Sequence, residues 1–158
     1  MSQTTLIERY QTVIAHIKQL SHQYRQDETA VQLIAVSKTF PSADIRTLYQ
    51  QGQRHFGENY IQEWSQKTDE LADLDIIWHI IGQVQSNKSR TVAEKAAWVH
   101  TIDREKIAKR LSEQRPVDCL PLNVCIEVNT SGSVDKRGVH AENVLALARQ
   151  VSAMPQLR

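Results

Sequence analysis

The sequence predicts an α/β fold built on a parallel sheet, and three observations carry that prediction. Short apolar runs begin near residues 31, 54, 76, 97 and 120, at intervals of 21 to 23 residues. Stretches with apolar residues three and four apart fill the gaps between them, the spacing of amphipathic helices. An amphipathic segment also precedes the first run. Such regular alternation is what repeated right-handed β-α units produce.

The elements follow in order. Leu6, Tyr10, Val13, Ile14, Ile17 and Leu20 place one apolar stripe on a helix over residues 4–24. Val31 to Val36 is apolar almost throughout and reads as a strand buried on both faces. Pro41 and Ser42 open a helix that runs to about Gln51, with Gly52 at the position after its end. Arg54-His55-Phe56 is a short strand, and Tyr60 to Leu71 is a helix that packs through Ile61, Trp64 and Leu71. Ile76 to Ile81 is a strong strand closed by Gly82. Asn87 to Ala96 reads as helix and Ala97 to Thr101 as strand; Asp103 is placed to cap the helix that runs to about Glu113. Leu120 to Val128 is a fifth strand, with Pro121 tolerable near its start. A last helix spans Ala141 to Ala153.

Residues 1–158 are expected to form a single domain, since no linker or low-complexity stretch divides them. Hydrophobic residues at 41% and charged residues at 23% give ordinary globular chemistry rather than disorder. The net charge of +1 offers no long-range attraction to a polyanion, so nucleic acid is not an expected partner. No stretch is long and apolar enough to cross a membrane and the amino terminus lacks a signal-peptide core, so a cytoplasmic location is expected. Cys119 and Cys125 form neither a disulfide framework nor a zinc knuckle and read as reduced structural residues. The six histidines make no metal-ligand pattern, and nucleotide-binding glycine loops and a serine nucleophile elbow are absent.

Spacing alone leaves two folds open. Five β-α units complete an open doubly wound sheet, whereas an eight-unit barrel at this spacing needs about 180 residues after residue 30, and 128 follow it. Spacing therefore favours the open sheet, with the leading helix a mild point for the barrel.

In either fold ligands bind beyond the carboxyl ends of the strands. Those ends carry Ser37-Lys38-Thr39, Gly57-Glu58-Asn59, Gly82 to Lys88, and Asn129 to Gly132. Lys38 follows directly on an apolar run, so a rigid strand end holds its Cα. Its amine is either a nucleophile toward an aldehyde or a cation that snorkels to solvent along the core. Glu58 is a candidate partner for a lysine. Asn59 either bonds a ligand or caps the next helix. His79 lies inside a strand, where a satisfied hydrogen-bonding histidine competes with a catalytic one. Lys88 opposes the dipole of the helix it precedes, which points to a role at the rim. Lys136 and Gly138 share a polar loop whose glycine suits a positive φ.

Four blocks at these strand ends resemble the pyridoxal-phosphate homeostasis protein family. They are Ala35-Val36-Ser37-Lys38-Thr39, Phe56-Gly57-Glu58-Asn59-Tyr60, the run from Trp78 to Lys88, and Asn129-Thr130-Ser131-Gly132 with Lys136 and Gly138. The resemblance covers essentially the whole chain. It implies a (β/α) TIM-like barrel similar to the amino-terminal domain of alanine racemase, so the expected fold becomes a partial barrel of about five complete βα units, with the open doubly wound sheet as the alternative. It implies pyridoxal 5′-phosphate (PLP) as the cofactor, held by a Schiff base on Lys38. Asn59 is expected to hydrogen-bond the ring or its neighbours, and Lys88 and Lys136 to supply positive potential; with His79 these form the expected cofactor-binding set.

The implied function is intracellular PLP homeostasis without robust catalysis. Two other readings stand beside it: a PLP-dependent racemase or lyase, with His79 as its second proton-transfer group, and a non-catalytic protein-interaction fragment. The chain also departs from the family. The family's later strands carry a serine- and glycine-rich phosphate cup and an arginine near the pyridine nitrogen, while this sequence reaches Arg158 where a sixth strand would start. A truncated barrel, weakened cofactor retention and self-association of the short chain are therefore expected, in place of the monomer a complete barrel would form.

Overall fold

The computed structural model describes residues 3–25, 27 and 31–158. Helix α1 (Gln3–Arg25) leads into strand β1 (Ala35–Val36), α2 (Ser42–Gln50), β2 (His55–Glu58), α3 (Ile61–Glu70) and β3 (Ile77–Ile80). A 3-10 turn (Ser86–Lys88) precedes α4 (Ser89–Lys95), followed by β4 (Trp98–Ile102), α5 (Glu105–Gln114) and β5 (Asn123–Ile126). Short strands β6 (Val128–Asn129) and β7 (Val139–His140) pair with each other before α6 (Val144–Ser152).

The principal sheet has the order β1-β2-β3-β4-β5, every neighbouring pair parallel. A doubly wound sheet reverses its strand order to place helices on both faces. Here each strand adds beside its predecessor in the same direction, so right-handed crossovers keep all the helices on one side. That is an arc of a (β/α) barrel, and it overturns the preference for the open sheet drawn from spacing. The chain's last residues continue the arc. Leu122 and Val124 donate their N–H groups to Gln156 O and Arg158 O at 2.9 Å each, and Arg158 N returns a bond to Leu122 O. A sixth stave thus begins beside β5, with Leu122 and Leu157 in a parallel bridge.

The hydrophobic core lies between the strands and the helices. Phe56, Trp78, Ile80 and Val99 point from the sheet to meet Ile45 of α2, Trp64 of α3, Val92 of α4 and Leu111 of α5, all buried in one cluster. Trp78 meets Trp64 edge to face, ring centroids 6.5 Å apart, a favoured geometry for aromatic pairs. Because side chains alternate along a strand, His55, Gly57, Ile77, His79, Trp98 and His100 must point the other way, into the barrel interior.

Four local expectations are corrected. The first strand is laddered only at Ala35 and Val36, and it is not buried on both faces: Val31 is 46% and Val36 48% exposed. It is an edge strand with β2 as its one neighbour in the sheet. Asp103 does not cap α5, whose cap residue is Arg104 with no side-chain capping bond; the Asp103 carboxylate is bound instead by the Arg104 guanidinium at 2.6 Å. The fifth run splits at Glu127, because Val128 and Asn129 leave the main sheet to pair with Val139 and His140. Finally, the helices expected from residues 87 and 141 each start with a 3-10 turn.

Candidate functional site

Register defines the site. Val36 pairs with Gly57 and Gly57 with His79. Two residues further along two adjacent staves stand Lys38 and Asn59, level with each other at the carboxyl rim. Ser37 turns its hydroxyl to Glu58 on the helix side, at 2.8 Å. Lys38 follows in a tight turn that the Phe40 N–H closes on Ser37 O at 3.1 Å. Lys38 is exposed, and its ammonium has no hydrogen-bond or ion-pair partner among the described residues.

Asn59 is half-buried, and α3 begins after Tyr60 with no side-chain capping bond. The capping role is thus not used, and the Asn59 carboxamide has no partner among the described residues. Its backbone is held closely by the next stave. A Cβ on Gly82 would fall 2.0 Å from the Asn59 carbonyl oxygen, so only glycine fits there. The Gly82 carbonyl in turn accepts the Thr101 hydroxyl at 2.7 Å. Lys38, Asn59 and Gly82 therefore occupy one rim over three consecutive staves.

One pleat below, three imidazoles cross the interior. His55 Nδ1 lies 2.9 Å from His79 Nε2, and His79 Nδ1 lies 2.9 Å from His100 Nε2. The His79 ring also stacks on Trp98, 10° from parallel. Both His79 nitrogens are thus engaged by neighbours, and the ring is 4% exposed. Burial first, then the charges that His100 and His55 would carry, lowers its pKa to about 4. Burial lowers His55 and His100 as well. The ladder had a sequence signal, since its members are 24 and 21 residues apart, the period of the βα unit itself.

Behind the rim, on the helix side, lies an ion triad, buried at Glu58 and Lys67 and half-buried at Glu63, that sequence reasoning located only in part. Glu58 does pair with a lysine, which is Lys67 of α3 at 2.7 Å. Lys67 also reaches Glu63 at 2.6 Å and Ser37 O at 2.7 Å, which uses all three of its donors. The Glu63 carboxyl lies below the usual carboxylate range because Lys67 donates to it. The i,i+4 spacing of Glu63 and Lys67 was the readable signal.

The two remaining lysines lie apart from Lys38. Lys88 ends the 3-10 turn and borders a groove between α3 and α4 with Gln62, Gln66 and Asp69. Lys136 is exposed in the loop between β6 and β7, beside a shallow basin walled by Asn129, Thr130, Ser131 and Arg137. Asn129 organises that loop. Its amide nitrogen donates to Ser133 O and Lys136 O, while its oxygen accepts the Ser131 hydroxyl and Gly132 N. Gly138 has φ +103, and a Cβ there would meet Asn129 N at 2.6 Å.

The rim can present a primary amine beside a free carboxamide, over an uncharged, aromatic-backed floor. That set fits the aldehyde end of PLP: an unpaired amine to condense with the carbonyl, and an amide to bond polar ring substituents.

Comparison with known proteins agrees in outline. Residues 10–158 match the family described as alanine racemase, N-terminal domain. The chain is 49% identical over 155 residues to the pyridoxal phosphate homeostasis protein of Pseudomonas aeruginosa, covering 98% of this chain and 67% of that protein. The protein of the same name from Vibrio cholerae is 49% identical over 149 residues, covering 92% of this chain and 63% of its own length. Among solved structures, PipY of Synechococcus elongatus with PLP bound superposes with a TM-score of 0.76 at 38% identity, over 92% of this chain and 66% of that one. The chain thus spans about two thirds of the length of these relatives.

Proposed function

Because the chain belongs to the alanine racemase N-terminal domain family and, within it, to the pyridoxal phosphate homeostasis proteins, we propose that it binds PLP through Lys38 and serves PLP homeostasis in the cell. The observation that carries this reading is the unpaired, exposed Lys38 amine standing level with the unpaired Asn59 amide at the rim. When bound, the cofactor supplies an aldehyde that condenses reversibly with a primary amine. Lys38 provides that amine from a turn closed by the Phe40 N–H on Ser37 O, so that little backbone freedom is lost on reaction. Asn59 orients the ring by hydrogen bonding.

His79 sits beneath them as a neutral, doubly bonded imidazole. It gives the floor a polar but uncharged surface, which suits a carrier better than a racemase needing a free acid or base. Lys88 and Lys136 add positive charge from farther out. The described rim thus provides for the aldehyde end of the cofactor.

Intact mass after borohydride reduction in the presence of PLP tests the assignment. The parent chain gains one pyridoxyl group, and Lys38→Ala does not. Equal yields in both overturn it.

A further inference from the structure

We propose that the Glu58–Lys67–Glu63 triad is the positioning device for Lys38, acting through the two peptide groups that bound its Cα. The proposal rests on the reading of Lys38 as the amine that meets PLP. Preceding Lys38, the Ser37 carbonyl accepts from Lys67 Nζ at 2.7 Å, and the Ser37 hydroxyl donates to Glu58 Oε1 at 2.8 Å. Following it, Thr39 N donates to Glu63 Oε1 at 2.7 Å. Lys67 ties the two carboxylates together at 2.7 and 2.6 Å. Both peptide planes flanking Lys38 are thereby fixed by one cluster, and with them the φ and ψ that aim its side chain.

Two features separate this cluster from ordinary packing. Glu58 is 0% and Lys67 5% exposed. A buried ion group is generally no more stabilising than apolar side chains of the same volume, so stability is a poor reason for its presence. Thr39 also adopts φ 65, a left-handed conformation that is costly for a β-branched residue. The Glu63 carboxylate bonds the amide of that very residue. The triad thus spends a buried charge pair and a strained backbone at the one place where Lys38 is aimed.

The test uses the full chain and the variants Glu63→Ala and Glu63→Gln, since Glu63 is the member least needed for folding: its side chain is 30% exposed. Three readouts are compared. These are exchange of the Thr39 amide proton, the share of borohydride-trapped pyridoxyl at Lys38 against the exposed Lys106 and Lys109, and labelling of the same lysines by acetic anhydride. In Glu63→Ala, Thr39 exchange rises about tenfold or more as its acceptor is lost. The pyridoxyl share at Lys38 falls to that of Lys106 and Lys109, while anhydride labelling is unchanged because the amine stays exposed. Glu63→Gln keeps an acceptor for Thr39 N–H and retains the preference for Lys38. A parental preference that survives in Glu63→Ala overturns the positioning role alone. A parent chain with no preference for Lys38 overturns the amine assignment, and the positioning role with it.

Discussion

Between pH 6.5 and about 4, His79 refuses a proton that the same side chain accepts in an unfolded chain. Its folded pKa is depressed, so across that window the unfolded state binds more protons and stability rises with pH. The contribution is fully present above 6.5 and is lost as pH falls toward 4. Near pH 5 the loss amounts to about 2 kcal/mol relative to about pH 7.5. His55 and His100 shift in the same direction. Urea midpoints at the two pH values check this: the parent loses stability at the lower one, and His79→Gln shows a clearly smaller loss. An unchanged slope in the variant would place the pH dependence elsewhere. Lys38 was legible as a site candidate because it follows a mostly apolar run, and Asn59 because it stands at a strand exit after a glycine. His79's neighbours carry only the βα spacing as a signal, since each lies on another strand and the register of a parallel sheet is what brings three imidazoles into line.

Gly82 links the exits of β2 and β3, and its lack of a side chain is what lets them touch. Gly82→Ala places a methyl 2.0 Å from the Asn59 carbonyl, a clash with backbone that no rotamer relieves. Overpacking of this kind costs about 1–3 kcal/mol or more. The expected outcome is a lower thermal midpoint together with displaced Asn59 resonances; a midpoint within about 1 °C of the parent contradicts the close approach. At this scale the strands in the middle of the sheet were read well, because β2, β3 and β4 are alternately buried against helices and imidazoles. The ends of the sheet were read less well. Val31 to Val36 has the composition of a central strand, but it has one neighbouring strand and Val31 to Ile34 lie outside the ladder. Leu120 to Val128 is largely apolar, with Asn123 and Glu127 its polar members, yet its last residue is drawn with Asn129 into a two-stranded pairing with Val139 and His140.

The whole molecule is an arc of parallel staves, and its strand order could not be read from spacing. Intervals of 21 to 23 residues occur in both folds and, set against the chain's length, favour the open sheet; what separates the two is whether each new strand joins the same edge. The motif resemblance pointed to the barrel, and the order β1 to β5 agrees. An arc keeps an exposed edge at β1, where Val36 is 48% and Phe40 43% exposed. Unpaired strand edges template association. Native mass and sedimentation over a concentration series are expected to show oligomers growing in as concentration rises, and a strictly monomeric chain throughout contradicts that expectation.

The central claim is that one rim, made by the ends of β1 and β2, receives the cofactor. Titrating the isotope-labelled chain with PLP and following its backbone amide resonances tests this most directly. The account predicts that Lys38, Asn59 and Gly82 shift first and furthest, with the α3–α4 groove around Lys88 nearly still. Shifts that cluster at Lys88, or that leave Lys38 and Asn59 unmoved at saturation, contradict it.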